Sequence, residues 1–206
     1  MDRAPIPRPA ATVMLFRPGD PAEVLMLRRG SDARFMPGVW VFPGGAVDAV
    51  DHEAATAIDL DAEADEIAHR ACGVRELGEE ASIHLEATAL VPWSRWVTPE
   101  VVPIRFDTRF YVAVAPPAST PVPDRGEVDE ARWLAPEEAL AEHAAERFEL
   151  AFPTVKHLEE LVGFADADAI LAAGAGRRIE AITPKVRGTR DDFEVLLPGD
   201  PGFADE

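Results

Sequence analysis

Residues 64–81 carry the pattern that most limits how this chain can fold: a helical repeat with acidic groups gathered near its end. With Ile67 at zero on a wheel of 100° per residue, Ala71, Val74, Gly78 and Ala81 fall within about 40° of it. That predicts a helix over 64–81 packed through a narrow apolar stripe. Gly78 lies in the middle of the stripe and marks a close neighbour, since glycine otherwise weakens a helix interior. Glu76, Glu79 and Glu80 fall on the opposite side. Their spacing puts three carboxylates on one face, with Cβ atoms about 5–6 Å apart. Like charges at this spacing oppose the helix, and so does their place near its negative C-terminal end. Bound Mg²⁺ or Mn²⁺ would reverse both effects, because hard cations favour carboxylate oxygens. Taken alone, the three residues suit a solvated acidic face equally well. The Glu-Glu pairs at 137–138 and 159–160 are read in that plainer way.

Strands are expected at 10–16 and 23–29, joined by the turn RPGDPA, and at Val39–Phe42 before Pro43-Gly44-Gly45. Residues 46–62 are acidic and weakly patterned, which suggests an irregular insertion with one helical turn. Further strands are expected at 84–91, 105–115 and 128–134, with short ones at 178–183 and 193–197. Ala135-Pro136-Glu137-Glu138 reads as a helix start. Two more helices are expected at 153–163 and 166–174, packed on the core or on a partner subunit, so a homodimer fits the pattern. The closing PGDPGFADE reads as a tail. With no repeat and no long linker, residues 1–206 are read as one domain, and 47% hydrophobic residues suffice for one sizeable core.

The formal charge of −18 excludes a general nucleic-acid binder, which needs a basic footprint. It would also repel an anionic substrate unless metal ions neutralised the site. Arginine outnumbers lysine 18 to 2, and arginine can bind phosphate through two parallel bonds. No apolar run approaches the roughly 20 residues of a membrane span, and Met1–Ala10 lacks a signal-peptide core. A cytoplasmic location is expected. Cys72, the single cysteine, excludes an intrachain disulfide and reads as a small half-buried helix residue.

Two segments together match a family pattern: VFPGG at 41–45 and RELGEE at 75–80. They resemble the signature of the Nudix hydrolases. Arg75, Glu76, Glu79 and Glu80 match its second half and Gly45 its first. Gly45 and Arg75 stand 30 positions apart against about 14 in the uninterrupted pattern, so about 16 residues are inserted. The early glutamate of the pattern has no secure counterpart: Asp51 stands six residues after Gly45, and Glu66 stands nine before Arg75, one off register. Ser82 replaces the final glycine, which would suit a left-handed helix cap. The interruption is similar to the branch that includes peroxisomal coenzyme A diphosphatases and bacterial relatives. FMPGVWVFPGG (35–45), RWVTPEVVPIRFDTRFYVA (95–113), EVDEARWLAPEEAL (127–140) and LLPGDPGF (196–203) extend the likeness.

The resemblance implies an α/β fold, an α/β/α sandwich with a mixed central sheet and extra C-terminal helices. It implies hydrolysis of a pyrophosphate linkage in a small nucleotide-type substrate, including coenzyme A or an acyl-CoA, with Mg²⁺ or Mn²⁺ as cofactor. Glu76, Glu79 and Glu80 would be metal ligands and Arg75 would brace them. Gly44 and Gly45 would admit backbone to the phosphates, although a tight turn explains the pair as well. A general base is sought at Glu127 or Glu130, and Arg28 could reach a phosphate; each is also an ordinary surface charge. Trp93, Trp96, Phe106, Phe110 and Tyr111 could stack on adenine, with core packing the simpler role. The five histidines show no ligand spacing. Two other classes stay open: a domain of this family that senses a nucleotide without cleaving it, and an acidic interaction protein.

Overall fold

The computed structural model describes residues 4–33, 36–189 and 192–204. Met1–Arg3, Phe35 of the 35–45 segment, and Asp205-Glu206 of the tail lie outside these. Two apolar runs set the centre of the fold: β1 (Arg8–Arg17) and β2 (Glu23–Arg29). Side chains alternate across a strand. Ala11, Val13 and Leu15 of β1 therefore face one way, and Met14 and Phe16 the other. Both sets are buried, so β1 reads as a continuous apolar run rather than an alternating one.

The remaining strands of the main sheet are β3 (Trp40–Val41), β4 (Gly44–Ala46), β5 (Val91–Val97), β6 (Phe106–Val114), β7 (Val128–Leu134) and β8 (Ala181–Ile182). β1 pairs in parallel with β6, and β6 pairs antiparallel with β5, so the sheet is mixed. The other edge of β1 is divided. Its end, at Phe16 and Arg17, pairs with β2, while its start, Ala10–Thr12, pairs with β4. The sheet opens at that seam. β2 continues against β7 on one side and β3 on the other.

Helices cover both faces. α1 (Ala49–Ala55) and α2 (Ala64–Ala81) lie on one side. There Cys72, Leu77 and Ala81 of α2 pack with Val13, Leu15, Leu25 and Leu27. α3 (Pro136–Ala144), α4 (Phe152–Leu161) and α5 (Ala167–Ala175) lie on the other. There Leu158, Leu161 and Ile170 pack with Phe16, Met26, Trp93 and Phe110. A separate hairpin, β9 (Lys185–Thr189) and β10 (Asp192–Leu196), follows β8. Among the described residues no helix is long and apolar enough to cross a membrane.

Several expectations change. The expected stripe of α2 is buried at Ile67, Ala71 and Ala81 but only half-buried at Val74 and Gly78, and Cys72 and Leu77, outside it, are fully buried against the sheet. α2 is covered by α1 as well as by the sheet, so burial wraps more of its surface than one stripe. Gly78 does meet a neighbour: a Cβ there would stand 3.1 Å from the ring of His84. Cys72 is fully buried, its thiol 3.4 Å from the Ala46 carbonyl. Residues 84–90 are not a strand. Ile83, Ala87 and Leu90 are buried, but a turn at Ala87–Ala89 redirects the chain before β5 begins. Pro92 lies within β5, where the ladder shifts register, which is how a proline is accommodated there. The insertion forms a seven-residue helix, α1, rather than one turn, and Gly44-Gly45 form a strand rather than a turn. β9 was not expected.

α4 is held to β5 by a buried histidine. His157 Nδ1 stands 2.6 Å from the Pro153 carbonyl and Nε2 2.6 Å from the Ser94 hydroxyl. A carbonyl only accepts, so Nδ1 carries the proton and Nε2 accepts from Ser94. The ring stacks on Phe110 at 4.2 Å. Burial pushes its pKa down to about 4. In the unfolded chain the same group titrates near 6.5, so the unfolded state binds the extra proton between these values. Stability is therefore lost as pH falls from about 6.5 to about 4. Urea unfolding at pH 7 and pH 5 is expected to show a fall that His157→Gln reduces by up to about 1.4 kcal/mol per pH unit. Ser82 closes α2 at φ 55°, a left-handed position in which a side chain is strained. Ser82→Gly is expected to stabilise by about 1 kcal/mol, raising Tm by about 2–4 °C.

Candidate active site

The end of α2, strand β4 and the start of β7 meet at the open seam of the sheet. Glycine makes this approach feasible. A Cβ on Gly44 would stand 2.4 Å from the Ala11 carbonyl, and one on Gly45 would stand 2.3 Å from Glu76 Oε1. Gly44 thus lets β4 lie against β1, and Gly45 lets a carboxylate rest on the backbone. The Gly44 amide donates to Glu80 Oε2 at 2.9 Å, tying α2 to the strand.

Arg75 organises the neighbouring acids. Its Nε and Nη2 donate to the two oxygens of Asp51 at 2.9 and 3.0 Å. Its Nη1 donates to Glu76 and to Glu79, both at 2.8 Å, and Nη2 also reaches the Ala46 carbonyl at 3.2 Å. Asp51 is buried and accepts in addition from the Asp48 amide at 2.9 Å, the start of α1. Burial works against the Asp51 charge, but the Arg75 hydrogen bonds prevail and hold its pKa below the usual range. The inserted segment is thereby fastened to α2.

The three glutamates are not equivalent. The Glu79 side chain is 61% exposed, that of Glu76 only 12%, and Glu80 is buried. Burial raises the pKa of Glu76, and it pushes Glu80 up to about 8 despite the Gly44 amide. The charge of Glu127 raises both as well, so this exposed residue at the mouth of β7 feels the same site. Glu130 instead pairs with Arg132 at 2.6 Å. Arg28 is committed to Asp129 at 2.8 Å and Glu130 at 3.3 Å. Past the bulge that follows it, Arg29 lowers the pKa of Glu80 and lines a cavity of about 180 Å³ with Gly44, Phe42 and Thr12. Trp93, Trp96, Phe110 and Tyr111 are buried core residues.

Among the described residues, no three His, Cys, Asp or Glu side chains converge as placed to hold a cation. Arg75 stands between Glu76 and Glu79, and Glu80 is turned to Gly44. The donor chemistry nevertheless fits a hard divalent ion. Two carboxylates, Glu76 and Glu80, are withdrawn from water against glycine backbone, and Glu80 has a single amide for compensation. Arg75 meets Glu76 and the Arg29 charge acts on Glu80, yet burial still raises the pKa of both, and a divalent cation with oxygen ligands would supply further positive charge.

Sequence reasoning missed two residues. Asp51 stands in the sequence only as an aspartate where the pattern has its early glutamate, yet it is the principal partner of Arg75. A half-buried arginine needs an acid, and the capping pattern Asp48-x-x-Asp51 could have pointed to it. Arg29 was passed over for Arg28, and the bulge that sends the two side chains apart leaves no mark in sequence.

Residues 6–152 match the family model described as the NUDIX domain. A putative nudix hydrolase 7 of Caenorhabditis elegans is 29% identical, over 89% of this chain and 70% of that protein. The acyl-coenzyme A diphosphatase NUDT19 of Homo sapiens is 25% identical, over 97% of this chain and 77% of that protein. A crystal structure of a NUDIX hydrolase from Alicyclobacillus acidocaldarius superposes with a TM-score of 0.73 at 27% identity, covering 81% of this chain and 96% of that one.

Because the Gly45 backbone lies against Glu76, Gly45→Ala is expected to cost roughly 1–3 kcal/mol in urea unfolding through overpacking. It is also expected to weaken Mn²⁺ binding at least tenfold by calorimetry, since the displaced carboxylate is a candidate ligand.

Proposed function

Since the chain belongs to the Nudix hydrolase family, we propose that it cleaves the pyrophosphate linkage of coenzyme A or an acyl-CoA, aided by a divalent metal ion. The observation that carries this reading is the pair of a sheltered Glu76 and a buried Glu80 against Gly44-Gly45 beside an open cavity. The similarity to an acyl-coenzyme A diphosphatase over 97% of the chain supports the substrate class.

Glu76, Glu79 and Glu80 would hold Mg²⁺ or Mn²⁺. When bound, such an ion neutralises phosphate charge and lowers the pKa of the attacking water. Arg75 fixes Glu76 from behind through a 2.8 Å bond and is itself fixed by Asp51, so the carboxylate is oriented before substrate arrives. Gly44 and Gly45 keep side chains out of the path to the phosphates. Glu127, placed where its charge reaches Glu76 and Glu80, is the group to take the proton of the attacking water. The new bond runs from water oxygen to phosphorus. The bond to the bridging oxygen breaks, and two phosphate esters leave.

The test is a panel of coenzyme A, acyl-CoA, nucleotide-sugar and dinucleotide substrates with Mg²⁺ or Mn²⁺, with products identified by mass. Cleavage of CoA compounds is expected, and a chelator is expected to abolish it. Glu79→Gln and Glu80→Gln should each cut kcat by about a hundredfold or more, with unfolding behaviour kept. Calorimetry should show Mn²⁺ bound by the wild type and at least tenfold weaker in Glu80→Gln. Full activity in both variants would overturn the assignment. A nucleotide that stayed bound and intact in the presence of Mn²⁺ would point instead to a sensor.

A further inference from the structure

A second cavity, of about 480 Å³, lies beyond the small one at Gly44. The two share Met36, Thr108, Phe110, Ala151 and Pro153 in their walls, so they form one path leading away from the carboxylates. The character of the path changes along its length. The small cavity contains Arg29 and Thr12; the large one has no charged side chain among the described residues and is walled chiefly by Trp96, Val102, Ile104, Phe106, Phe152 and Val195. Three separate pieces of chain supply those walls: the β5–β6 connection, the start of α4 and the hairpin β9–β10.

Elementary chemistry restricts what enters such a chamber. A diphosphate cannot be stripped of water where no cation compensates it. A nucleobase brings several donors and acceptors, whereas among the described residues the lining offers only two threonine hydroxyls and the buried Trp96 indole N–H as polar side-chain groups. An aliphatic chain asks for nothing but apolar surface. Ile104, 45% exposed, stands on the wall, and Val101, 71% exposed, follows the same connection, so apolar surface continues outwards from the chamber. The size lies within the range of ligand pockets.

We propose that this chamber receives the aliphatic acyl chain of the substrate while the pyrophosphate lies at Gly44 and the glutamates, so that the enzyme favours long acyl thioesters over short ones. The proposal rests on the CoA-diphosphatase reading above and adds the residues that choose the acyl end. Each buried methylene favours binding by about fourfold, so a chain that only partly enters still gives a large gradient.

The experiment pairs kinetics with a binding signal. Hydrolysis of acetyl-CoA and dodecanoyl-CoA, each below its micelle concentration, should differ by tenfold or more in kcat/KM, in favour of the longer chain. Ile104→Asp should lower kcat/KM for dodecanoyl-CoA at least fivefold more than for acetyl-CoA, and that ratio separates a chamber effect from general damage. Independently, 12-bromododecanoate should quench tryptophan fluorescence by contact. Trp96 is the tryptophan on the chamber wall, so Trp96→Phe should remove most of that quenching. Equal kcat/KM for both thioesters, without quenching, would overturn the chamber assignment and leave the hydrolase standing. Quenching relieved by AMP but not by dodecanoate would assign the chamber to the nucleoside and also overturn it. Failure to cleave any CoA compound would remove the functional reading, and this proposal with it.

Discussion

One guanidinium holds the candidate site together. Arg75 binds Asp51 through two bonds and reaches Glu76, Glu79 and the Ala46 carbonyl with its remaining donors. It joins the inserted helix α1, the strand β4 and the glutamate-bearing end of α2 in one network. Arginine suits this task because its planar fork serves several acceptors at once and stays charged. Without it, four carboxylates would crowd the end of a helix whose dipole is already negative. The bonds also explain why Glu76 keeps its place against Gly45 although burial disfavours its charge.

Much of the scaffold was legible. The helix expected over 64–81 is α2 with the same bounds, because eighteen residues of consistent period leave little choice. β1, β2, β6 and β7 fall on apolar runs bounded by proline and glycine, and α3 begins at Pro136 as the Ala135-Pro136 start predicts. The failures have physical causes. Buried residues at 83–90 have the composition of a strand but no partner edge, so they pass beneath α2 unpaired. Gly44-Gly45 look like a turn, and only the gap left by the divergence of β2 from β1 lets them form a strand. α1 is held by Asp51 reaching across to Arg75, a contact 24 positions distant and invisible to local pattern.

The site was legible in kind and not in geometry. A helical wheel places three glutamates within one arc but says nothing of what covers them. In the fold Glu80 is buried against Gly44, Glu76 is sheltered and Glu79 stands in solvent. Sequence spacing therefore identifies the carboxylates, while neighbours from β4 and α1 give each a different environment. The aromatic residues show the same division: core packing is the simpler reading of their sequence, and the structure places Trp93, Trp96, Phe110 and Tyr111 in the core.

The insertion between Gly45 and Arg75 has a wider meaning. The geometry at the seam requires only that a carboxylate return to the guanidinium and that the chain rejoin α2. Asp51 meets the first need within the opening turn of α1, and residues 56–63 lead on to the second. Spacing along the chain is then a matter of tether length, whereas the constellation in space is a matter of bonding. Loops of other lengths could close the same circuit, so a search for this site by fixed residue counts would overlook proteins that share its chemistry.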